Sequence, residues 1–469
     1  MMFIRSFLLT LLLTFTSFAD TPKQPGEQMQ FGRFGTITLY RTAPHPARIV
    51  LFVSGDGGWN LGVIDMARMI AEQNALVVGI DITHYLNQLE AAPDKCSYPA
   101  ADFEALSQYV QQKLGFPDYK QPVLVGYSSG ATLVYALLVQ APPNTFAGAI
   151  SMGFCPDLPL TKPFCKGNGL QFGPGPKGKG YSFLPAKTLE QPWVAFQGLI
   201  DEVCSPAFVD SFVGQVPRGK VVRLPHVGHG FSVQRNWAPQ FREAVASIFS
   251  EDTSIAVTVA GPDSLKDLPL VEVPVKGPEK DYFALILSGD GGWASIDRQI
   301  GEYFSTQGIR VVGLNSLRYF WSRKTPDESG VDLARIIKHY LQTWNKSEVV
   351  VVGYSRGADV APFMVNRLAP ALQSRIRILA LLGLEGEVDF KFHVLDLISS
   401  DSHPEELPVK PEMDKLSGIR TLCFYGEDES GSLCPQLDTT KVTVIQLKGG
   451  HHFGGDYKSI AEQILQQMD

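Results

Sequence analysis

A chain of 469 residues, 44% hydrophobic and 19% charged, holds enough apolar material for more than one closed core. Its formal net charge of −7 leaves no basic excess to neutralise a phosphate track, which argues against nucleic-acid binding as the main activity.

At the N-terminus, Arg5 precedes an apolar run from Phe7 to Phe18, and Ser17-Phe18-Ala19 places small residues where a signal peptidase reads. Residues 1–19 are therefore expected to be a signal peptide, and the mature protein a soluble, exported one. The run is too short for a stable bilayer anchor, and no later segment approaches transmembrane length. From 20 to 250 the pattern alternates. Arg48 to Val53, Leu76 to Ile80, Val123 to Val125, Phe146 to Ser151, Trp193 to Gln197 and Lys220 to Leu224 predict buried strands. Gly62 to Ala71, Asp102 to Leu114, Ala131 to Val139 and Trp237 to Phe249 predict amphipathic helices. Residues 251–267 are polar, break the pattern and predict a linker. From 268 to 469 the strand series returns as Tyr282 to Leu287, Arg310 to Leu314, Glu348 to Val352, Ile376 to Leu382, Arg420 to Phe424 and Val442 to Leu447. Near-continuous apolar strands separated by helices imply, in each half, a mainly parallel sheet covered on both faces. The fold class is α/β, with two tandem α/β-hydrolase-like domains.

The halves are copies. Ser54-Gly55-Asp56-Gly57-Gly58-Trp59 recurs as Ser288-Gly289-Asp290-Gly291-Gly292-Trp293, and Tyr85 meets Tyr319 at the same offset. Gly126-Tyr127-Ser128-Ser129-Gly130 recurs as Gly353-Tyr354-Ser355-Arg356-Gly357, after seven extra residues in the first copy around Ala91 to Pro99. A G-x-S-x-G segment after an apolar strand and before a helix is the setting of a nucleophile elbow. The glycine-rich loops occupy the place of an oxyanion loop, with backbone donors expected at Gly289, Asp290 and Arg356, and at Gly55, Asp56 and Ser129 in the first copy. Trp59 and Trp293 suit a core or a pocket wall.

On this fold the acid and the histidine follow the serine. Ser355, Asp428 and His451 form one set and Ser128, Asp201 and His229 a second. Glu429 competes with Asp428, since it stands as far beyond its glycine as Asp201 does. His452 competes with His451, although matching Gly228-His229-Gly230-Phe231 to Gly450-His451-His452-Phe453 favours His451. His45, His339, His393 and His403 lack such a partner. Arg356 could bind a substrate phosphate or carboxylate, or equally pair with Asp359 on its own helix. Lys162, Lys166, Lys177 and Lys179, in a Gly- and Pro-rich insert from Thr161 to Tyr181, could touch anionic headgroups, though a flexible solvated loop is the simpler expectation.

Export makes disulfides plausible. Cys423 and Cys434 are the one pair available in the second half, while Cys96, Cys155, Cys165 and Cys204 allow three pairings. No cysteine–histidine spacing suggests zinc, and neither metal nor cofactor is expected.

The Ser288 to Trp293 loop, Gly353-Tyr354-Ser355-Arg356-Gly357-Ala358-Asp359-Val360 and Gly449-Gly450-His451-His452-Phe453 resemble the bacterial VirJ/AcvB virulence-protein family, and the two-domain layout with its leader is similar to the AcvB-like members. The resemblance covers nearly the whole chain. It implies a periplasmic serine esterase removing the amino acid from aminoacylated phosphatidylglycerol, with Ser355 as nucleophile and His451 as base. Its partner would be an anionic aminoacyl-lipid headgroup at the periplasmic face of the inner membrane. The alternative it implies is a non-enzymatic adaptor or chaperone meeting secretion-system components during type IV secretion.

Overall fold

The computed structural model describes residues 26–251, 265–393 and 405–468. The signal peptide expected at 1–19, most of the expected linker and His403 lie outside these. Among the described residues no helix is long and apolar enough to cross a membrane.

The first domain is built on eight strands: β1 (Glu27–Phe31), β2 (Gly35–Tyr40), β3 (Arg48–Val53), β4 (Ala75–Ile80), β5 (Val123–Tyr127), β6 (Gly148–Met152), β7 (Trp193–Gly198) and β8 (Gly219–Leu224). They lie in the order β1-β2-β4-β3-β5-β6-β7-β8. From β4 to β8 every pairing is parallel, and β1 and β2 close the edge as an antiparallel pair. The second domain repeats the plan with β9 (Leu270–Val273), β10 (Tyr282–Leu287), β11 (Arg310–Leu314), β12 (Glu348–Tyr354), β13 (Ile376–Leu382), β14 (Thr421–Gly426) and β15 (Val442–Leu447), in the order β9-β11-β10-β12-β13-β14-β15. Here β9 alone is antiparallel. This is the α/β-hydrolase plan in duplicate.

Central strands such as β4 are buried residue by residue because helices cover both faces. Each domain therefore has two apolar layers, one on either side of its sheet. Residues 265–267 belong to the second domain and not to a linker: Leu265 is 2% exposed in its core, and Asp267 pairs with Arg335 at 2.8 Å. The seven-residue insertion follows the helix Ile82–Ala91, whose counterpart Ser316–Tyr319 is a single turn.

The insert at Thr161 to Tyr181 is not a free loop. Tyr181–Phe183 pairs with Phe172–Pro174 on one side and Asp157–Leu158 on the other, and Cys165 is bonded to Cys96. Lys162 donates to the Leu89 carbonyl at 2.6 Å and to that of Ala92, so its ammonium is spent on capping a helix end. Between the domains, Tyr119 packs with Leu317, Trp321 and Phe392, and Trp321 Nε1 donates to the Phe116 carbonyl at 2.8 Å.

Candidate active sites

Register places the catalytic parts side by side. Val53, which ends β3, pairs with Gly126, and Leu287, which ends β10, pairs with Gly353. The glycine-rich loop and the elbow of each copy therefore leave the same sheet edge together. Ser54 and Ser288 serve the loops structurally, since their Oγ atoms accept from the Ile82 and Ser316 amides at 3.1 and 2.9 Å.

Both elbow serines hold a strained backbone, φ 55° at Ser128 and φ 52° at Ser355. The flanking glycines make the turn feasible. A Cβ on Gly126 would stand 2.1 Å from the Gly130 carbonyl oxygen, and one on Gly130 would stand 2.4 Å from that of Ser54.

In the first domain the relay is continuous. Ser128 Oγ lies 2.9 Å from His229 Nε2, and His229 Nδ1 lies 2.9 Å from Asp201 Oδ2. The other Asp201 oxygen accepts from the Val203 and Cys204 amides at 2.8 and 2.9 Å, which fixes the carboxylate plane. Cys204 is bonded to Cys155 just after β6, tying the acid loop to the neighbouring strand. Asp201, Cys204 and His229 lie close enough to suggest a metal site. The disulfide occupies the thiolate, however, and the other two groups are bonded to each other.

In the second domain His451 Nδ1 meets Glu429 Oε1 at 2.5 Å, and Glu429 Oε2 accepts from the Gly426 amide at 3.0 Å. The expectation that Asp428 is the acid is overturned: its side chain is exposed, and Glu429 takes the place beside the histidine. The reason is turn geometry. The amides of Asp201 and Glu429 both bond back to the strand-ending glycine three residues earlier, so the third residue faces inward and the second faces solvent. Among the described residues no hydrogen bond joins Ser355 to His451. His452, the rival histidine, has its Nδ1 2.9 Å from Tyr354 OH and does not meet an acid.

Burial works against charge on His451, but the hydrogen bond and charge of Glu429, with Glu385 and Asp290 behind it, outweigh burial and hold it above the usual histidine range. His452 is pushed below that range by burial and by its charged neighbour.

Arg356 is not a substrate ligand. Its guanidinium is buried, bonded to both Asp290 oxygens and to the Asp389 and Lys391 carbonyls. Asp359, the partner that helical spacing suggests, is a buried carboxyl that accepts from the Glu385 amide at 2.7 Å and feels the Arg356 charge. The first copy makes the same link more simply, with Ser129 Oγ donating to Asp56 at 2.5 Å. In both copies, therefore, the residue after the nucleophile clamps the aspartate of the glycine-rich loop and holds that loop over the serine. A Cβ on Gly55 would lie 3.1 Å from that of Ser128, and one on Gly289 would lie 3.3 Å from that of Ser355. Burial raises the Asp297 carboxyl, close to the Gly289 amide, well above the usual carboxylate range.

Two residues of the sites escaped sequence reasoning. Gly153 and Gly383 carry φ of 67° and 66° beneath the histidines, where a Cβ would stand 3.1 Å from His229 Cε1 and 2.7 Å from His451 Cε1. Their signal is a glycine just past the strand after the elbow in both copies. Cys423 is bonded to Cys434 in the second domain.

No curated protein matches the chain in sequence. Among solved structures it is similar to the esterase domain of a Rhodothermus marinus protein at 15% identity, over 48% of this chain and 95% of that one, with a TM-score of 0.33. It is similar to Est1E from Butyrivibrio proteoclasticus at 13% identity, over 49% and 100%, with a TM-score of 0.33. A third likeness is to an α/β serine hydrolase without lid from Xanthomonas campestris, at 19% identity over 49% and 97%, with a TM-score of 0.32. The sequence pattern of the family described as bacterial virulence protein (VirJ) matches residues 47–151 and 281–469, more than half of the chain, and the chain belongs to that family.

Proposed function

We propose that the protein is a serine esterase of the periplasm with one hydrolytic site in each domain. The observation that carries this reading is the continuous Ser128–His229–Asp201 relay at a strained elbow. In such a site His229 accepts the Ser128 proton as Oγ attacks the ester carbonyl, and Asp201 stabilises the imidazolium. The glycine-rich loop and the first turn of the following helix hold the oxyanion. The imidazolium then protonates the departing alcohol oxygen. A water, deprotonated by the same histidine, next cleaves the acyl-serine bond, freeing the acid and restoring the hydroxyl.

For the second site we propose the aminoacyl ester of phosphatidylglycerol at the outer face of the inner membrane. Its α-ammonium withdraws electrons from the carbonyl that Ser355 would attack. Glu385, an exposed carboxylate near enough to act on His451, suits that cation. The first copy has Cys155 where the second has Glu385, so this anionic character is not shared. With Arg356 occupied by Asp290, the lipid phosphate has no ligand there, and recognition rests on the amino acid.

A fluorophosphonate probe followed by peptide mapping tests the esterase reading, with adducts expected on Ser128 and Ser355. An unlabelled protein would leave a binding adaptor. Release of free amino acid from lysyl- and alanyl-phosphatidylglycerol, lost in Ser355→Ala, tests the substrate.

A further inference from the structure

Along the oxyanion loop of the first domain, reaching Tyr127 of the elbow, lies a cavity of about 640 Å³, within the range of small-molecule binding sites. Its floor is apolar: Val63, Met66, Phe231 and Trp237 are buried, and the Trp237 indole N–H is satisfied by the Phe231 carbonyl at 2.8 Å. Its mouth is polar, with Asn60, Ser232 and Gln234 exposed and the Asp65 carboxylate half-buried. Leu61 stands at the lip, 84% exposed and held at φ 45°, a strained backbone for a leucine. A polar rim over an apolar floor, with Leu61 at the edge, fits an amphiphilic molecule better than a small polar one.

The cavity is continuous with the chemistry. Gly55, Gly57 and Gly58 of the oxyanion loop line it, as do Tyr127 and Gly230, the neighbours of the nucleophile and the histidine. An acyl arm attached to a carbonyl held by that loop enters the cavity.

The second domain carries different side chains at the matching positions. Gly230 is replaced by His452, whose ring reaches Tyr354, and Gly62 by Ile296, which is buried. Val63 is replaced by the buried Asp297.

From this, and resting on the esterase reading, we propose that the first-domain site hydrolyses carboxylic esters with a medium-length apolar acyl group, a substrate class distinct from the aminoacyl esters of the second site.

The test uses the full chain in a Ser355→Ala background, where Ser128 is the remaining nucleophile, with p-nitrophenyl acetate and octanoate. The expected kcat/KM for octanoate exceeds that for acetate by about tenfold or more, the scale of discrimination an apolar pocket supplies. Gly230→His and Gly62→Ile, which import the second copy's side chains, should each cut that ratio about tenfold. Gly62 has open space around the position of a Cβ, so its variant is compatible with folding, and a thermal unfolding midpoint checks both. Turnover of both esters with no chain-length preference, or a preference that survives both substitutions, overturns the acyl-pocket inference and leaves the esterase reading intact. Absence of turnover for either ester overturns both.

Discussion

Replacing Glu429 by Gln at the second site leaves side-chain volume and the Gly426 contact nearly unchanged while removing the charge that faces His451. Two effects follow from the geometry. The amide can present its NH2 to His451 Nδ1, favouring the tautomer with the proton on Nε2, which cannot accept from Ser355. In the best-studied triad the equivalent change costs about four orders of magnitude in kcat, or about 5.5 kcal/mol of transition-state stabilisation. The second effect is on pH. Burial lowers the His451 pKa, and the Glu429 hydrogen bond and charge more than reverse this. Activity requires neutral His451, so it rises as pH passes upward through that raised value. Without the Glu429 charge the rising limb shifts to lower pH. The assay is the rate of fluorophosphonate labelling at Ser355 in a Ser128→Ala background, from pH 5 to 9. Asp428→Asn, at an exposed carboxylate pointing away from the histidine, should change the rate less than about twofold, as surface changes do. A loss at Asp428→Asn equal to that at Glu429→Gln, or a limb that stays in place, would refute the assignment of the acid.

Reducing the Cys155–Cys204 bond frees the loop that presents Asp201, so a Cys155→Ser, Cys204→Ser pair should slow labelling of Ser128 about tenfold and that of Ser355 far less, as site-resolved mass spectrometry will show. Gly153→Ala places a methyl group in a left-handed backbone beneath His229, costing about 1–2 kcal/mol and displacing the imidazole, which thermal unfolding and labelling at Ser128 would register together. Glu104, beside Tyr119 at the domain contact, is pushed up to about 7 by burial. A raised folded value means full stability below the unfolded carboxyl range, lost as pH rises through about 7. Glu104→Gln should therefore raise the unfolding midpoint by several degrees at pH 8 and leave it unchanged at pH 4.

The strands and elbows were legible because burial on both faces writes uninterrupted apolar runs into the sequence, as in β4 and β12, and because a strained serine needs glycines on both sides. The edge pair β1 and β2 was not legible. Glu27, Gln28 and Thr36 are exposed on a one-sided sheet edge, so the run is diluted with polar residues. The short helix Pro206–Val213 was likewise missed. The insert at Thr161 to Tyr181 has the composition of a solvated loop. A disulfide and a lysine bonded to two carbonyls order it, and both depend on residues some seventy positions away. Arg356 failed for a related reason. Its partner Asp290 is remote in sequence, whereas Asp359, one helical turn along, is the partner that local spacing suggests.

Divergence between the copies touches the acid of the relay and gathers around the space it serves. Elbow, loop and histidine are common to both, while the acid lengthens from Asp201 to Glu429 with its reach to the ring preserved. The cavity along the first oxyanion loop is dry-floored and open. The second copy carries His452, Ile296 and Asp297 at the matching positions, and Glu385 in place of a disulfide cysteine. An apolar cavity favours the longer acyl chain by burying it, whereas a carboxylate beside the carbonyl favours a substrate that offers it a cation. Two hydrolytic centres on one chain can thus share a mechanism and divide their substrates by the polarity of what lies next to the carbonyl. The division would be visible as opposite losses: Ser128→Ala removing turnover of the octanoyl ester, and Ser355→Ala removing release of the amino acid. Equal losses of both activities in either single mutant would mean that the two sites act as one.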